Sequence, residues 1–224
     1  MAKVVFLFDV DNTLLDNDRV IADLRKHLED EVGHERQERY WGFSEELRSE
    51  LGYVDYLGAL QRYRMKYPRD LHILAVSTFL VNYPFANRLY PGSIDVIDRV
   101  NKYGTAALLS DGDVVFQPRK INRSGLAEAV NGKVMIYIHK EVELDDVELR
   151  YPAEHYVMFD DKLRILTAMK RVWGKRLTTV FPRQGHYAHD QNEVSKYPPA
   201  DVTVERIGEV AELDLEMMLA AARK

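Results

Sequence analysis

Short apolar runs, each closed by polar or acidic residues, recur along this chain. Segments 3–8, 105–109, 133–138, 155–159 and 177–181 are continuous and rich in branched and aromatic side chains, and 201–204 is a weaker sixth. Runs of this length without alternation predict strands buried on both faces, the habit of parallel sheets. Between them, apolar residues recur at helical spacing. Ile94, Val96, Ile97 and Val100 do so before Gly104, and Leu163, Leu166, Met169 and Trp173 do so after Asp161. Segment 207–221 is apolar on one side and predicts a single closing helix. Strands alternating with helices predict an α/β fold: a parallel sheet with right-handed crossovers.

Segment 16–88 breaks the alternation. It contains no strand pattern and predicts four consecutive helices. Val20, Ile21, Leu24, Leu28 and Val32 form an apolar face that Gly33 ends. A second helix is expected near 35–51, stopping at Gly52. Tyr53, Tyr56, Leu57, Leu60 and Tyr63 form a third stripe, with the tyrosines reading as a helix–helix seam. Segment 71–81 forms the fourth, ending before Pro84. The expected organisation is a core of residues 1–15 and 89–224, with residues 16–88 inserted as an all-helical unit after the first strand.

Composition narrows the chemistry. At 224 residues the chain suits one large domain or a core with an insertion. The absence of cysteine excludes a disulfide framework, a thiolate zinc site and a cysteine nucleophile, and fits a reducing compartment. With 36 acids against 31 bases, no basic excess supports nucleic-acid binding. No stretch reaches the ~18 apolar residues of a membrane helix, and the start lacks a signal peptide's long apolar centre. The expectation is a soluble cytoplasmic protein acting on a small molecule, with no oligomeric state specified.

Four strand ends carry polar chemistry. The first ends in Asp9-Val10-Asp11-Asn12-Thr13, where two acids on extended chain point the same way. Such a pair at the carboxyl edge of a parallel sheet lies where these folds bind ligands, and a hard cation such as Mg²⁺ would relieve the repulsion. An Asx-rich turn is the alternative. The second ends in Ser110-Asp111-Gly112-Asp113, offering a hydroxyl and backbone N–H groups to an anion, or simply a helix cap. After the third comes Lys140, a fixed positive charge for a phosphoryl group or an aspartate, with Lys133 as its competitor. After the fourth come Asp160 and Asp161, which suit an oxygen-ligated metal or a helix start.

In combination these motifs resemble the haloacid dehalogenase (HAD) superfamily, and specifically its phosphatases with a helical cap. Asp9-Val10-Asp11-Asn12-Thr13 is similar to the first motif, Asp-x-Asp-x-Thr. Ser110 with Asp111 and Gly112 matches the second, Lys140 the third, and Asp160-Asp161 the acidic fourth. Tyr90-Pro91-Gly92 is similar to the approach to the first core helix after the cap. The sequence departs from the pattern where Glu141 replaces a frequent proline and Phe159 a common glycine. The resemblance implies a Rossmann-like core with a four-helix cap at 16–88.

It also implies a mechanism. Asp9 would be the nucleophile, forming an aspartyl-phosphate, and Asp11 would protonate the leaving oxygen and then activate water. Mg²⁺ would be held by the side chains of Asp9 and Asp160 and the backbone carbonyl of Asp11, with Asp161 acting directly or through water. Ser110, Lys140 and backbone N–H groups near Asn12 and Gly112 would bind the phosphoryl oxygens, with Asp111 beside them. The implied substrate is a small phosphorylated metabolite selected by the cap. A phosphosugar mutase of the same superfamily and a non-catalytic binding protein on this scaffold are the alternatives. Arg62, Arg64 and Lys66 are candidates for an anionic substrate or a solvated face. His186 and His189, three apart in 183–189, suggest an exposed loop rather than a metal site, since no third ligand accompanies them.

Overall fold

In the computed structural model, which describes residues 3–221, the six apolar runs become strands. They are β1 (Val4–Phe8), β2 (Thr105–Asp111), β3 (Val134–Tyr137), β4 (His155–Phe159), β5 (Leu177–Pro182) and β6 (Val202–Val204). They form one parallel sheet in the order β3-β2-β1-β4-β5-β6. All five residues of the central β1 are buried. Val4, Phe6 and Phe8 join the core on one face of the sheet, and Val5 and Leu7 join that on the other. The doubly buried strand anticipated from the unbroken apolar run is therefore present.

The inserted segment forms α1 (Asn17–Val32), α2 (His34–Leu51), α3 (Tyr56–Lys66) and α4 (Ile73–Asn82). Val20, Leu24 and Leu28 of α1 are buried, as are Tyr40, Phe43 and Leu47 of α2 and Tyr56, Leu60 and Tyr63 of α3. The Tyr40 hydroxyl donates to Tyr56 O at 3.0 Å, stitching α2 to α3. Tyr53 precedes α3 rather than extending its stripe, because Asp55 caps that helix by accepting from Gly58 N at 2.7 Å. The chain leaves the core and returns to it side by side. Asp16 N donates to Arg88 O at 2.7 Å, and Tyr90 N donates to Leu14 O at 2.9 Å.

The remaining helices are α5 (Ser93–Val100), α6 (Phe116–Arg123), α7 (Leu126–Ala129), α8 (Leu144–Arg150), α9 (Leu163–Trp173), α10 (Gly185–His189), α11 (Gln191–Val194) and α12 (Leu215–Ala221). The single closing helix expected over 207–221 is instead two pieces. A 3-10 turn, Ile207–Glu212, is followed by extended Leu213, whose carbonyl accepts from Arg99 Nη2 at 2.7 Å. Asp214 then restarts the helix by accepting from Met217 N at 2.9 Å. Among the described residues no helix is long and apolar enough to cross a membrane.

Candidate active site

Strand register brings the acids together. Phe8 pairs with Phe159, so Asp9 and Asp160, the next residue on each strand, emerge beside one another. The peptide beyond β1 stays on the sheet, with Asp9 N donating to Phe159 O at 2.9 Å. Thr13 reaches across, its hydroxyl accepting from Asp161 N at 3.0 Å. One oxygen from each of Asp9, Asp160 and Asp161 lies within 4.8 Å of the others, and all three residues are buried.

Three buried acids at this separation repel unless cations answer them. Lys140 Nζ lies 2.5 Å from Asp9 Oδ1 and 2.7 Å from Asp160 Oδ2. Burial disfavours the Lys140 ammonium, but Asp160, Asp9 and Asp111 outweigh it and the net shift is upward, so it stays charged. Burial pushes Asp160 up to about 6 against the pull of Lys140. Burial also raises Asp161 well above the usual carboxylate range, against Lys162. Asp9 Oδ2 and both carboxylate oxygens of Asp161 are buried without a hydrogen-bond partner among the described residues. Unpartnered carboxylate oxygens in a cluster this tight fit a Mg²⁺-type cation.

The Asp11 carboxylate stands outside this cluster; the family resemblance gives its backbone carbonyl, not its carboxylate, to the metal. Its oxygens accept from Lys120 Nζ at 2.6 and 2.9 Å. Gln117 Nε2 lies 3.4 Å from Asp11 Oδ2 and 2.9 Å from Ser110 Oγ. Sequence reasoning missed both Gln117 and Lys120. Their one signal was position: they lie one helical turn apart just after the Ser110 motif.

Of the two candidate lysines, Lys140 is the one that reaches the acids. Its backbone N–H donates to Asp111 Oδ1 at 2.7 Å, fixing the turn that aims its side chain inward. Lys133 lies at the opposite end of β3 and donates to Val130 O. Asp111 is thus occupied in holding Lys140 rather than standing free for an anion, and burial raises its pKa while Lys140 opposes the shift. Two expected anion donors are also committed elsewhere. Asn12 N donates to Leu15 O at 2.7 Å, and Gly112 N donates to Tyr137 O at 3.0 Å. The sequence reading expects anion-binding N–H groups near Asn12 and Gly112; the N–H groups of these two residues themselves are taken by turn and strand pairing. Asn12 instead sits at φ 62° and its side-chain oxygen accepts from Asn17 N and Asp18 N, capping α1.

A cavity of about 750 Å³ lies between these strand ends and the helical insert. Asn17, Ile21 and Arg25, four apart on α1, wall it together with Trp41, Ser44 and Arg48 on one face of α2. Arg62, Arg64 and Lys66 are not on that wall. Arg62 pairs with Glu50 at 2.5 Å on the outer surface. The 183–189 segment, expected as a loop, includes the short helix α10 and docks on the insert. His186 Nδ1 is 2.6 Å from Asp18 Oδ1, and Arg48 Nη2 donates to the Tyr187 hydroxyl at 2.9 Å. Gly185, at φ 69°, lies so close to Asn12 that a Cβ there would sit 2.5 Å from Asn12 Cβ.

Known proteins resemble this chain in sequence and fold. The haloacid dehalogenase-like hydrolase family matches residues 4–172. No curated protein matches in sequence. A haloacid dehalogenase-like protein of Burkholderia xenovorans LB400 shares 63% identity, with 96% of this chain and 100% of that one covered at a TM-score of 0.90. The L-2-haloacid dehalogenase of Xanthobacter autotrophicus, solved with chloropropionic acid covalently bound, superposes at 0.63 with 15% identity over 97% and 100% of the two chains. The HAD hydrolase YfnB of Bacillus subtilis, solved with magnesium, superposes at 0.61 with 16% identity over 98% and 100%. The last two likenesses concern the fold alone.

Proposed function

The chain belongs to the haloacid dehalogenase-like hydrolase family, and within it we propose a Mg²⁺-dependent phosphomonoesterase acting on a small phosphorylated metabolite through an aspartyl-phosphate. The observation that carries this reading is Asp11. It places a second carboxyl two residues beyond Asp9, at the mouth of the cavity, where its side chain is 27% exposed while Asp9 is buried. An alkoxide leaving group needs a proton and a halide does not, so this acid has work in phosphate ester cleavage and none in dehalogenation.

Asp9 attacks phosphorus, forming a carboxylate–phosphorus bond as the bond to the leaving oxygen breaks. Asp11 gives its proton to that oxygen, then takes one from the water that hydrolyses the aspartyl-phosphate. Lys140 holds Asp9 in place and carries the positive charge that faces the phosphoryl oxygens. Ser110, fixed by Gln117, offers its hydroxyl to the same oxygens. Asp9, Asp160 and Asp161 would hold Mg²⁺, which when bound supplies charge that offsets repulsion between the Asp9 carboxylate and an anionic substrate. The insert closes the cavity and its α1 and α2 faces meet the leaving group.

The fold neighbours that remove halide make dehalogenation the second reading. A single experiment separates them: release of phosphate from a panel of phosphomonoesters, with Mg²⁺ or with chelator, beside release of halide from 2-haloacids. Mg²⁺-dependent phosphate release is expected. Halide release without phosphate release would overturn the proposal. Phosphoryl transfer to a second sugar hydroxyl instead of water would move it to a mutase.

A further inference from the structure

Lys120 is among the most deeply buried charged residues, at 1% exposure, and it lies outside the acid cluster already described. Its ammonium meets three side-chain oxygens: Asp11 Oδ1 at 2.6 Å, Asp11 Oδ2 at 2.9 Å and Asn17 Oδ1 at 2.9 Å. It also faces the Phe116 ring, 5.3 Å from the centroid. A buried ammonium is costly, and replacing such an ion pair whole by apolar side chains is often neutral or better for stability. Packing alone therefore gives no reason for a lysine here.

The helix around it is built to aim it. Phe116 and Ile121 of α6 are buried and anchor the helix against the core. Gln117 and Lys120 then fall one turn apart on the face turned to the site, where Gln117 reaches Ser110 and Asp11 and Lys120 reaches both Asp11 oxygens. Asn17, the first residue of α1, holds the ammonium from the insert side. A carboxylate at the end of a flexible turn would otherwise sample several rotamers; a two-oxygen contact to a fixed cation leaves one.

We infer that Lys120 is a positioning residue for proton transfer: it fixes the Asp11 carboxyl in the orientation from which that group reaches the leaving oxygen. The inference rests on the phosphomonoesterase reading. In the step concerned the phosphorus–oxygen bond breaks, its electron pair stays on the leaving oxygen, and the Asp11 proton goes to that oxygen as Asp9 bonds to phosphorus.

The role has a readout that a merely structural lysine would not move. The ratio kcat/KM covers events up to the first irreversible step, so for aryl and alkyl phosphates of increasingly basic leaving groups it reports on the proton donor. With Mg²⁺ present, Lys120→Met should lower kcat/KM least for para-nitrophenyl phosphate, whose leaving group has little need of a proton. It should cut kcat/KM for alkyl phosphates by roughly 10²-fold, the lower end of what a positioned acid contributes. Lys120→Arg, which keeps the charge but shifts its point of attachment, should steepen the leaving-group dependence less, and it serves as the readout if Lys120→Met does not fold. In the Asp11→Asn background Lys120→Met should cost nothing further on alkyl phosphates. A loss equal for all leaving groups, or one additive with Asp11→Asn, would overturn the Lys120 role while leaving the enzyme reading intact. A wild-type protein that releases no phosphate from any ester would overturn both.

Discussion

Lys140 Nζ lies 2.5 Å from Asp9 Oδ1, and neither side chain exposes more than 6% of its surface. The same ammonium answers Asp160 at 2.7 Å. Removing one partner of a buried pair leaves the other charge without compensation, at a cost of about 3–5 kcal/mol. Lys140→Met should therefore lower unfolding free energy by that order in the absence of Mg²⁺, as read by urea denaturation. Wild-type stability in this variant would mean that the acids are neutralised in another way.

Asp9→Asn keeps the volume and removes the nucleophile. Stability should change less than in Lys140→Met, since Asp160 still answers the Lys140 ammonium at 2.7 Å while one repelling acid leaves the cluster. Phosphate release should fall by about 10⁴-fold or more, the scale seen when a nucleophile is removed. Full Mg²⁺-dependent turnover in a folded Asp9→Asn protein would rule out the aspartyl-phosphate.

The acid cluster also sets a pH dependence. Burial holds Asp160 at about 6, whereas a carboxyl in an unfolded chain titrates near about 4. The folded, metal-free protein keeps a proton that the unfolded chain has lost, so this group's contribution to stability falls as pH rises from about 4 through about 6. Mg²⁺ competes for the same oxygen. The rise in Tm on adding Mg²⁺ should thus grow as pH is raised through about 6. An increment independent of pH would count against Asp160 as a ligand.

Two glycines separate backbone strain from contact with the site. Gly185 and Gly125 both have positive φ, 69° and 85°, but a Cβ at Gly185 meets Asn12 at 2.5 Å while one at Gly125 meets nothing within 4 Å. Alanine at either should cost about 1–2 kcal/mol from the left-handed backbone. Only Gly185→Ala should also depress kcat, by displacing Asn12 from the loop that carries Asp9 and Asp11. Equal activity in the two variants, measured by phosphate release, would sever that link.

The sheet was readable because burial on both faces leaves unbroken apolar runs, and each strand was located to within about two residues. The insert was readable because α1 to α4 each bury one stripe. What stayed hidden was made of polar residues in apolar surroundings. The helix α6 reads Phe-Gln-Pro-Arg-Lys-Ile-Asn-Arg, and its buried Lys120 looks in sequence like any solvated lysine. Lys140 is 131 residues from Asp9, a separation that only strand order resolves. The N–H groups of Asn12 and Gly112 themselves are taken by turn and strand pairing, which residue type alone does not disclose. The break at Leu213 was likewise invisible, since Asp214 reads as well inside a polar helix face as at a cap.

The paired crossing at Asp16–Arg88 and Leu14–Tyr90 has a consequence for how such a protein can vary. With its two ends already fastened together, everything between them is, to the sheet, one closed loop. The entropy of closing a loop grows only with the logarithm of its length, about 0.6 kcal/mol for each doubling. The core is therefore nearly indifferent to how long the excursion is. A lineage could lengthen, trim or exchange it at little thermodynamic cost, provided that the residues facing the cavity and Lys120 were kept in register.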